Sequence, residues 1–168
     1  DIAEVSKFNF NPKLFYNPNK KTAIYLGATI SKENRKGGTM DKISGLRSGN
    51  SLSLPLYFLD QQESSRITSQ FSAKYKWDEI KTVTIKNSIS SFDRYIDIDE
   101  YILGSLTTFG GNQLNSFTEL SLNINKEKQN INIGLNALTD KFTENNIIPQ
   151  PLRDQKYNTL GIFINHLW

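Results

Sequence analysis

The chain has 168 residues, no cysteine, one histidine and a net charge of only +3, from 20 Lys and Arg against 17 Asp and Glu. Disulfide frameworks, thiolate metal sites and cysteine nucleophiles are thereby excluded. A single His argues against a His-built metal site or a Ser-His-Asp triad, and no dense basic stripe points to nucleic acid. The length fits one domain. Asn, Gln, Ser and Thr number 18, 7, 16 and 12, nearly a third of the chain. Such residues suit wet strand faces and loops better than helices. The chain opens on Asp1, with no leader pattern and no apolar run near the ~18 residues of a spanning helix. It reads either as a chain that has lost a leader or as a piece of something longer.

In chain order, period 2 recurs in runs of about ten residues. Phe8, Phe10, Leu14 and Tyr16 share one face, opposite Lys7, Asn9, Asn11 and Lys13. Ile24, Leu26, Ala28 and Ile30 alternate with Tyr25, Gly27 and Thr29. Ile67, Phe71, Ala73, Tyr75 and Trp77 oppose Arg66, Thr68, Gln70, Ser72, Lys74 and Lys76. Val83, Ile85 and Ile89 follow, then Leu120, Leu122 and Ile124, then Ile131, Ile133, Leu135 and Ala137, and last Leu160, Ile162 and Ile164. Seven strands are expected, each with one apolar and one polar face. The stretch Ser51 to Leu59 offers a further short strand or a flap.

The connections alternate in length. Asn17-Pro18-Asn19-Lys20, Asp78-Glu79 and Lys126-Glu127-Lys128 read as tight polar turns. Lys36 to Ser64, Asp97 to Gln113 and Thr143 to Gln155 read as long, glycine- and proline-bearing loops. Short turns on one side and long loops on the other are the habit of outer-membrane barrels. Runs of ten residues also exceed the usual soluble strand and match the ~9–11 that cross a bilayer. Phe15, Tyr16, Tyr25, Tyr75 and Trp77 gather near the turn ends and are expected to form an interfacial girdle. The fold class expected is therefore all-β: antiparallel, up-and-down strands forming part of an outer-membrane β-barrel.

No catalytic signature is present. Gly37-Gly38 and Gly110-Gly111 lack the spacing and setting of a phosphate loop. Asp97, Asp99 and Glu100 read as a solvated acidic loop without the spacing of a calcium site. His166 reads as interfacial. Asp93, Asp97, Asp99, Glu100 and Glu119 are the only carboxylates near enough in sequence to serve as an acid–base pair, and no matched geometry supports them. The reading is of a non-enzyme with no cofactor and no metal.

Five segments, in order, resemble TonB-dependent outer-membrane receptors of the Bacteroidetes type. They are Lys32 to Met40, with its Arg35-Lys36-Gly37-Gly38 core; Ser88 to Arg94; Gln113 to Leu120; Gly134 to Phe142; and the closing Leu160 to Trp168. Asn34 stands where the pattern has an acid, and His166 departs from the closing pattern. The resemblance implies a roughly 22-stranded barrel plugged by an N-terminal domain. Residues 1–168 would then be a single barrel segment, without the plug and without the segment that engages the TonB system. It further implies a bacterial outer-membrane location, lipid as a neighbour, and uptake of a ligand whose identity the loops do not spell out. Candidate ligand contacts are the loop residues Arg35, Lys36, Arg47, Tyr57, Phe58, Tyr101 and Phe109. A second reading is a complete small barrel or sandwich, closed by the short strand near Ser51–Leu59, that binds a ligand inside. Self-association of the segment is expected if its strand edges are open.

Overall fold

A computed structural model describes residues 4–38, 58–100, 105–145 and 153–168. Within them the strands are β1 (Glu4–Phe10), β2 (Lys13–Asn19), β3 (Thr22–Gly38), β4 (Phe58–Lys76), β5 (Lys81–Glu100), β6 (Ser105–Lys126), β7 (Gln129–Glu144) and β8 (Gln155–Leu167). All belong to one antiparallel sheet in the order β1-β3-β4-β5-β6-β7-β8, with β2 also on β3. Among the described residues no helix is long and apolar enough to cross a membrane.

β1 and β2 are the single first strand expected from the sequence, cut in two. Pro12 has no N–H to give to the ladder, yet its carbonyl still accepts from the Ala28 amide (3.1 Å). Register therefore continues from Phe10↔Ile30 to Lys13↔Gly27. Two prolines in this strand are tolerable because it lies at the sheet edge.

Side-chain hydrogen bonds explain the tight turns. Asp78 Oδ1 accepts from the Ile80 and Lys81 amides (3.0 and 2.7 Å), and Asn19 Oδ1 accepts from the Lys21 amide (2.9 Å). These are Asx-type turns, in which a short polar side chain replaces a backbone acceptor.

Residues paired across the strands share a face, so the register sorts the chain into rows. One row runs Tyr16, Ile24, Ala73, Ile85, Leu120, Leu135, Ile162. The next toward the turns runs Thr22, Tyr75, Val83, Leu122, Ile133, Ile164. This face is apolar and open: Leu160 is 86% exposed and Ile162 79%. On β4 the band runs from Ile67 to Trp77, about 33 Å along the strand, or ~25 Å along a barrel axis at ~40° tilt. Its far border is oblique. It reaches Phe10, Ile30 and Ile67 on one side of the sheet, whereas Lys141 and Lys156 occupy that same row on β7 and β8. Strands tilted against a flat hydrocarbon slab produce such a slope.

Beyond the band the strands run on without strict alternation, apolar Ile96 and Phe109 sharing a face with Gln62 and Arg94. Two loop expectations are corrected here. Asp97, Asp99 and Glu100 lie in β5, and most of 97–113 is strand, since β5 and β6 pair as far as Glu100↔Ser105. Backbone pairing needs no apolar side chain, so the ladder outlasts the hydrophobic alternation. The connection after β3 is likewise shorter than expected, because β4 begins at Phe58. The stretch 51–57, expected as a short strand or flap, lies outside the described residues. The closed small barrel is not observed: among the described residues β8 pairs only with β7, and the sheet is open.

The girdle is also smaller than expected. Tyr16, Tyr75 and Trp77 carry the parity of the apolar face, but Phe15 pairs with Tyr25 on the polar face, their rings 5.2 Å apart. Alternation places neighbours in sequence on opposite sides, which closeness to a turn cannot override. His166 packs edge-on against Trp168, ring centroids 5.1 Å apart.

Candidate functional site

The polar face holds paired groups for most of its length. Tyr25 donates to Gln70 (2.8 Å), Lys86 to Glu119 (2.9 Å), Gln113 to Asp140 (3.0 Å) and Asn123 to Asn130 (2.8 Å), and a Thr68–Ser90 bond measures 3.0 Å. Level with the far border of the apolar band the pattern changes. Ser31, Arg66, Phe92 and Gln113 form one row of this face. Glu33, Ser64 and Arg94 form the next, and Arg35, Gln62, Ile96 and Phe109 the one beyond.

These rows enclose a hollow of about 350 Å³. Four cations line it, Lys7, Arg35, Arg66 and Arg94, with Glu33 as the sole carboxylate. Glu33 is taken by Lys7 at 3.3 Å. Arg94 Nη2 donates to Gln62 Oε1 (2.7 Å), and the Arg66 guanidinium stands 4.6 Å from the centre of the Phe92 ring. Both contacts orient the guanidinium without neutralising it. No carboxylate pairs with Arg35, Arg66 or Arg94 among the described residues. Guanidinium forks with no internal acid are suited to carboxylate or phosphate.

A second feature lies beside the β7–β8 connection. The Glu144 carboxylate is fully enclosed and accepts from Arg153 through the backbone N–H (2.7 Å), Nε (3.1 Å) and Nη2 (2.6 Å). Asp154 Oδ1 accepts from the Glu144 amide (2.9 Å), and Asn145 N–H donates to Gly110 O (2.8 Å). The Arg153 guanidinium stands 5.2 Å from the Phe109 ring centre. This clasp ties the start of β8 to β6 and β7. Glu144→Ala is expected to raise amide exchange at 153–155 about tenfold or more, since bonds to charged groups are the stronger class. Exchange in the β6–β7 turn should stay unchanged, and a uniform rise would contradict the clasp.

Of the loop residues expected to meet a ligand, Arg35 lines the hollow. Phe109 lies in β6 on the same face, beside Arg153. Lys36 has the opposite parity, paired with Glu4 and Gln61. Phe58 begins β4. Arg47, Tyr57 and Tyr101 lie outside the described residues. The reading of the sequence missed Lys7, Arg66, Arg94 and the Glu144–Arg153 pair. One signal was available for part of it: counting outward from the Asp78 turn brings Arg66 opposite Phe92 and Arg94 opposite Ser64. Of the carboxylates expected as an acid–base pair, Asp93 and Glu119 stand on opposite faces of the sheet. Asp93 shares a face with Asn112, which donates to it (2.8 Å), while Glu119 is held by Lys86 on the other face. No cluster of metal-ligating side chains occurs among the described residues.

Among solved structures, the chain is similar to the ferric citrate transporter FecA in its unliganded form, at 9% identity and a TM-score of 0.72, covering 99% of this chain and 25% of that one. It is similar to the copper transporter OprC at 8% identity and a TM-score of 0.72, covering 98% and 28%. It is also similar to BauA, the ferric preacinetobactin receptor from Acinetobacter baumannii, at 12% identity and a TM-score of 0.61, covering 95% and 28%. The fold is that of a partial outer-membrane β-barrel. The chain spans about a quarter of the length of these structures. No family model and no curated protein matches the sequence.

Proposed function

We propose that this chain is a wall segment of a TonB-dependent outer-membrane receptor of the Bacteroidetes type, taking up a ligand across the bacterial outer membrane. On this reading the apolar face meets lipid and the polar face lines the lumen. The long-loop end lies outside the cell, and a plug domain couples the barrel to the TonB system. The wall binds and guides, so it needs neither a nucleophile nor a cofactor. The observation that carries the reading is the hollow of Lys7, Arg35, Arg66 and Arg94, on the polar face level with the far border of the apolar band. A ligand entering from the loop end meets these side chains before the internally paired wall below. The loop residues Arg47, Tyr57, Phe58 and Tyr101 belong to the same proposal as outer contacts.

The test is uptake by cells making the whole protein, over a panel of ferric siderophores, corrinoids, oligosaccharides and peptides. One panel member should accumulate only while the proton-motive force is intact. Arg66→Gln with Arg94→Gln should lower its uptake about tenfold or more, a loss of ~1.4 kcal/mol or above in binding. Normal expression with no energy-dependent uptake of any class would overturn the reading.

A further inference from the structure

The three guanidinium groups of the basic hollow are held at two separate levels. Arg66 is opposite Phe92, and its guanidinium stays at that level, 4.6 Å from the ring centre. Arg94 lies one row nearer the loop end, opposite Ser64, and its bond to Gln62 Oε1 (2.7 Å) draws it further out. Gln62 is itself tied outward, because its Nε2 donates to Asp60 Oδ2 (2.9 Å) in the row beyond. Arg35 is directly opposite Gln62, so two guanidinium groups serve this outer level. The rows of Arg66 and Gln62 are four residues apart along β4, about 13 Å. One small anion cannot bridge that distance.

The row between the levels has a different chemistry. Glu33 faces Ser64 across β3 and β4. Lys7 takes Glu33 through Oε2 (3.3 Å), which offsets the charge of both and leaves Oε1 to accept. An ionised carboxylate accepts hydrogen bonds and donates none, so this row favours hydroxyl groups and repels a third acid. A phosphate chain, charged at every link, would meet Glu33 head on. An acidic peptide would find no backbone partners, since the backbone of β3, β4 and β5 is already paired in the ladder. Phe92 lines the hollow at the inner level and offers an apolar face to the C–H side of a sugar ring. The wall therefore reads, from the loop end inward, as anion site, hydroxyl site, anion site.

We propose that the hollow takes a linear oligosaccharide of sugar acids, an inference that rests on the reading of this face as the wall a cargo meets. One carboxylate lies at Arg66 and a second between Arg35 and Arg94, where planar guanidinium forks match planar carboxylates. The sugar between them turns its hydroxyls to Glu33 and Ser64 and its own carboxylate to the lumen. Gln62 and Asp60 touch no carboxylate in this arrangement; they are positioning residues that keep the Arg94 guanidinium at the outer level.

The test is calorimetric titration of the whole protein in detergent with tetragalacturonate and tetramannuronate, the corresponding dimers, and galactotetraose as a neutral tetramer. At least one acidic tetramer should bind saturably and about tenfold or more tighter than its dimer, which reaches one level only. Galactotetraose should not bind. Arg66→Gln should remove most of the advantage of tetramer over dimer, whereas Lys128→Gln, in the β6–β7 turn, should change nothing. Glu33→Gln should weaken the tetramer and let tripolyphosphate bind. Absence of saturable binding by both tetramers, or equal affinity for dimer and tetramer, would overturn the proposal. Tripolyphosphate or tetraglutamate binding the unaltered protein as tightly as the tetramer would mean recognition of bare charge and would also overturn it. Energy-dependent uptake is read separately on cells. Uptake of another cargo class without binding of either tetramer sinks this inference and leaves the receptor reading standing, whereas tetramer binding with no energy-dependent uptake does the reverse.

Discussion

Leu135→Arg is expected to cost about 2–4 kcal/mol of folding free energy in a bilayer, the range for a cation on the lipid face near the midplane. Leu135 is 53% exposed on the apolar face and sits in the row of Ile24, Ile85, Leu120 and Ile162. That row is near the middle of the band. Ile133 lies one row closer to the turns, where the side chain has less distance to reach the interface. Ile133→Arg should therefore cost less than Leu135→Arg, because the penalty falls to ~0–1 kcal/mol at the interface. Asn132→Arg, on the polar face beside Asn123, should cost less than either. Denaturant titration of the whole protein in vesicles gives the three values. Equal losses at Leu135 and Asn132 would show that both faces meet the same medium, and the assignment of lipid and lumen would fall.

The 168-residue chain produced by itself in detergent-free buffer is expected to self-associate instead of remaining a dilute monomer. Leu160, Ile162 and Ile164 on β8 are each at least 68% exposed, and Phe8, Leu14, Tyr16 and Ile67 at the other side each exceed half. Burying one such side chain is worth about 1.5–3 kcal/mol. Soluble monomers rarely leave a patch beyond ~300–600 Å² uncovered. The outer edge of β8 adds a row of backbone groups without sheet partners among the described residues. Detergent should dissolve the assemblies, because it replaces the hydrocarbon that the apolar face is built for. Sedimentation with and without detergent reads the outcome. A monomer in plain buffer that retains its strand signal and binds no apolar dye would mean that the apolar residues are turned inward as an ordinary core.

Much of this architecture was legible in the residues. The apolar alternations gave the strand cores and their faces, because burial on one side of a pleated strand imposes period 2. Asp78 and Asn19 marked tight turns because their side chains bond the backbone two residues on. What alternation could not show is where a strand stops once its apolar face ends. Past Ile89 and Leu114 the alternation lapses, with Phe92, Ile96 and Phe109 on the same face as Arg94, and a paired strand reads like a loop. For that reason 97–113 looked like a connection and proved to be mostly ladder. Nor could one strand's pattern reveal the sites. Arg35, Arg66 and Arg94 are each an ordinary polar-face residue on a separate strand, as are Lys74 and Lys76 on theirs. Only the register of two successive strand pairings, β3 with β4 and β4 with β5, brings the guanidinium groups around one hollow and sets Lys21 against Lys76. The sequence by itself determined that there would be two faces and where each strand crosses between them. The tertiary structure decided which charges meet, since that depends on pairing between residues distant along the chain, and no local pattern carries that information.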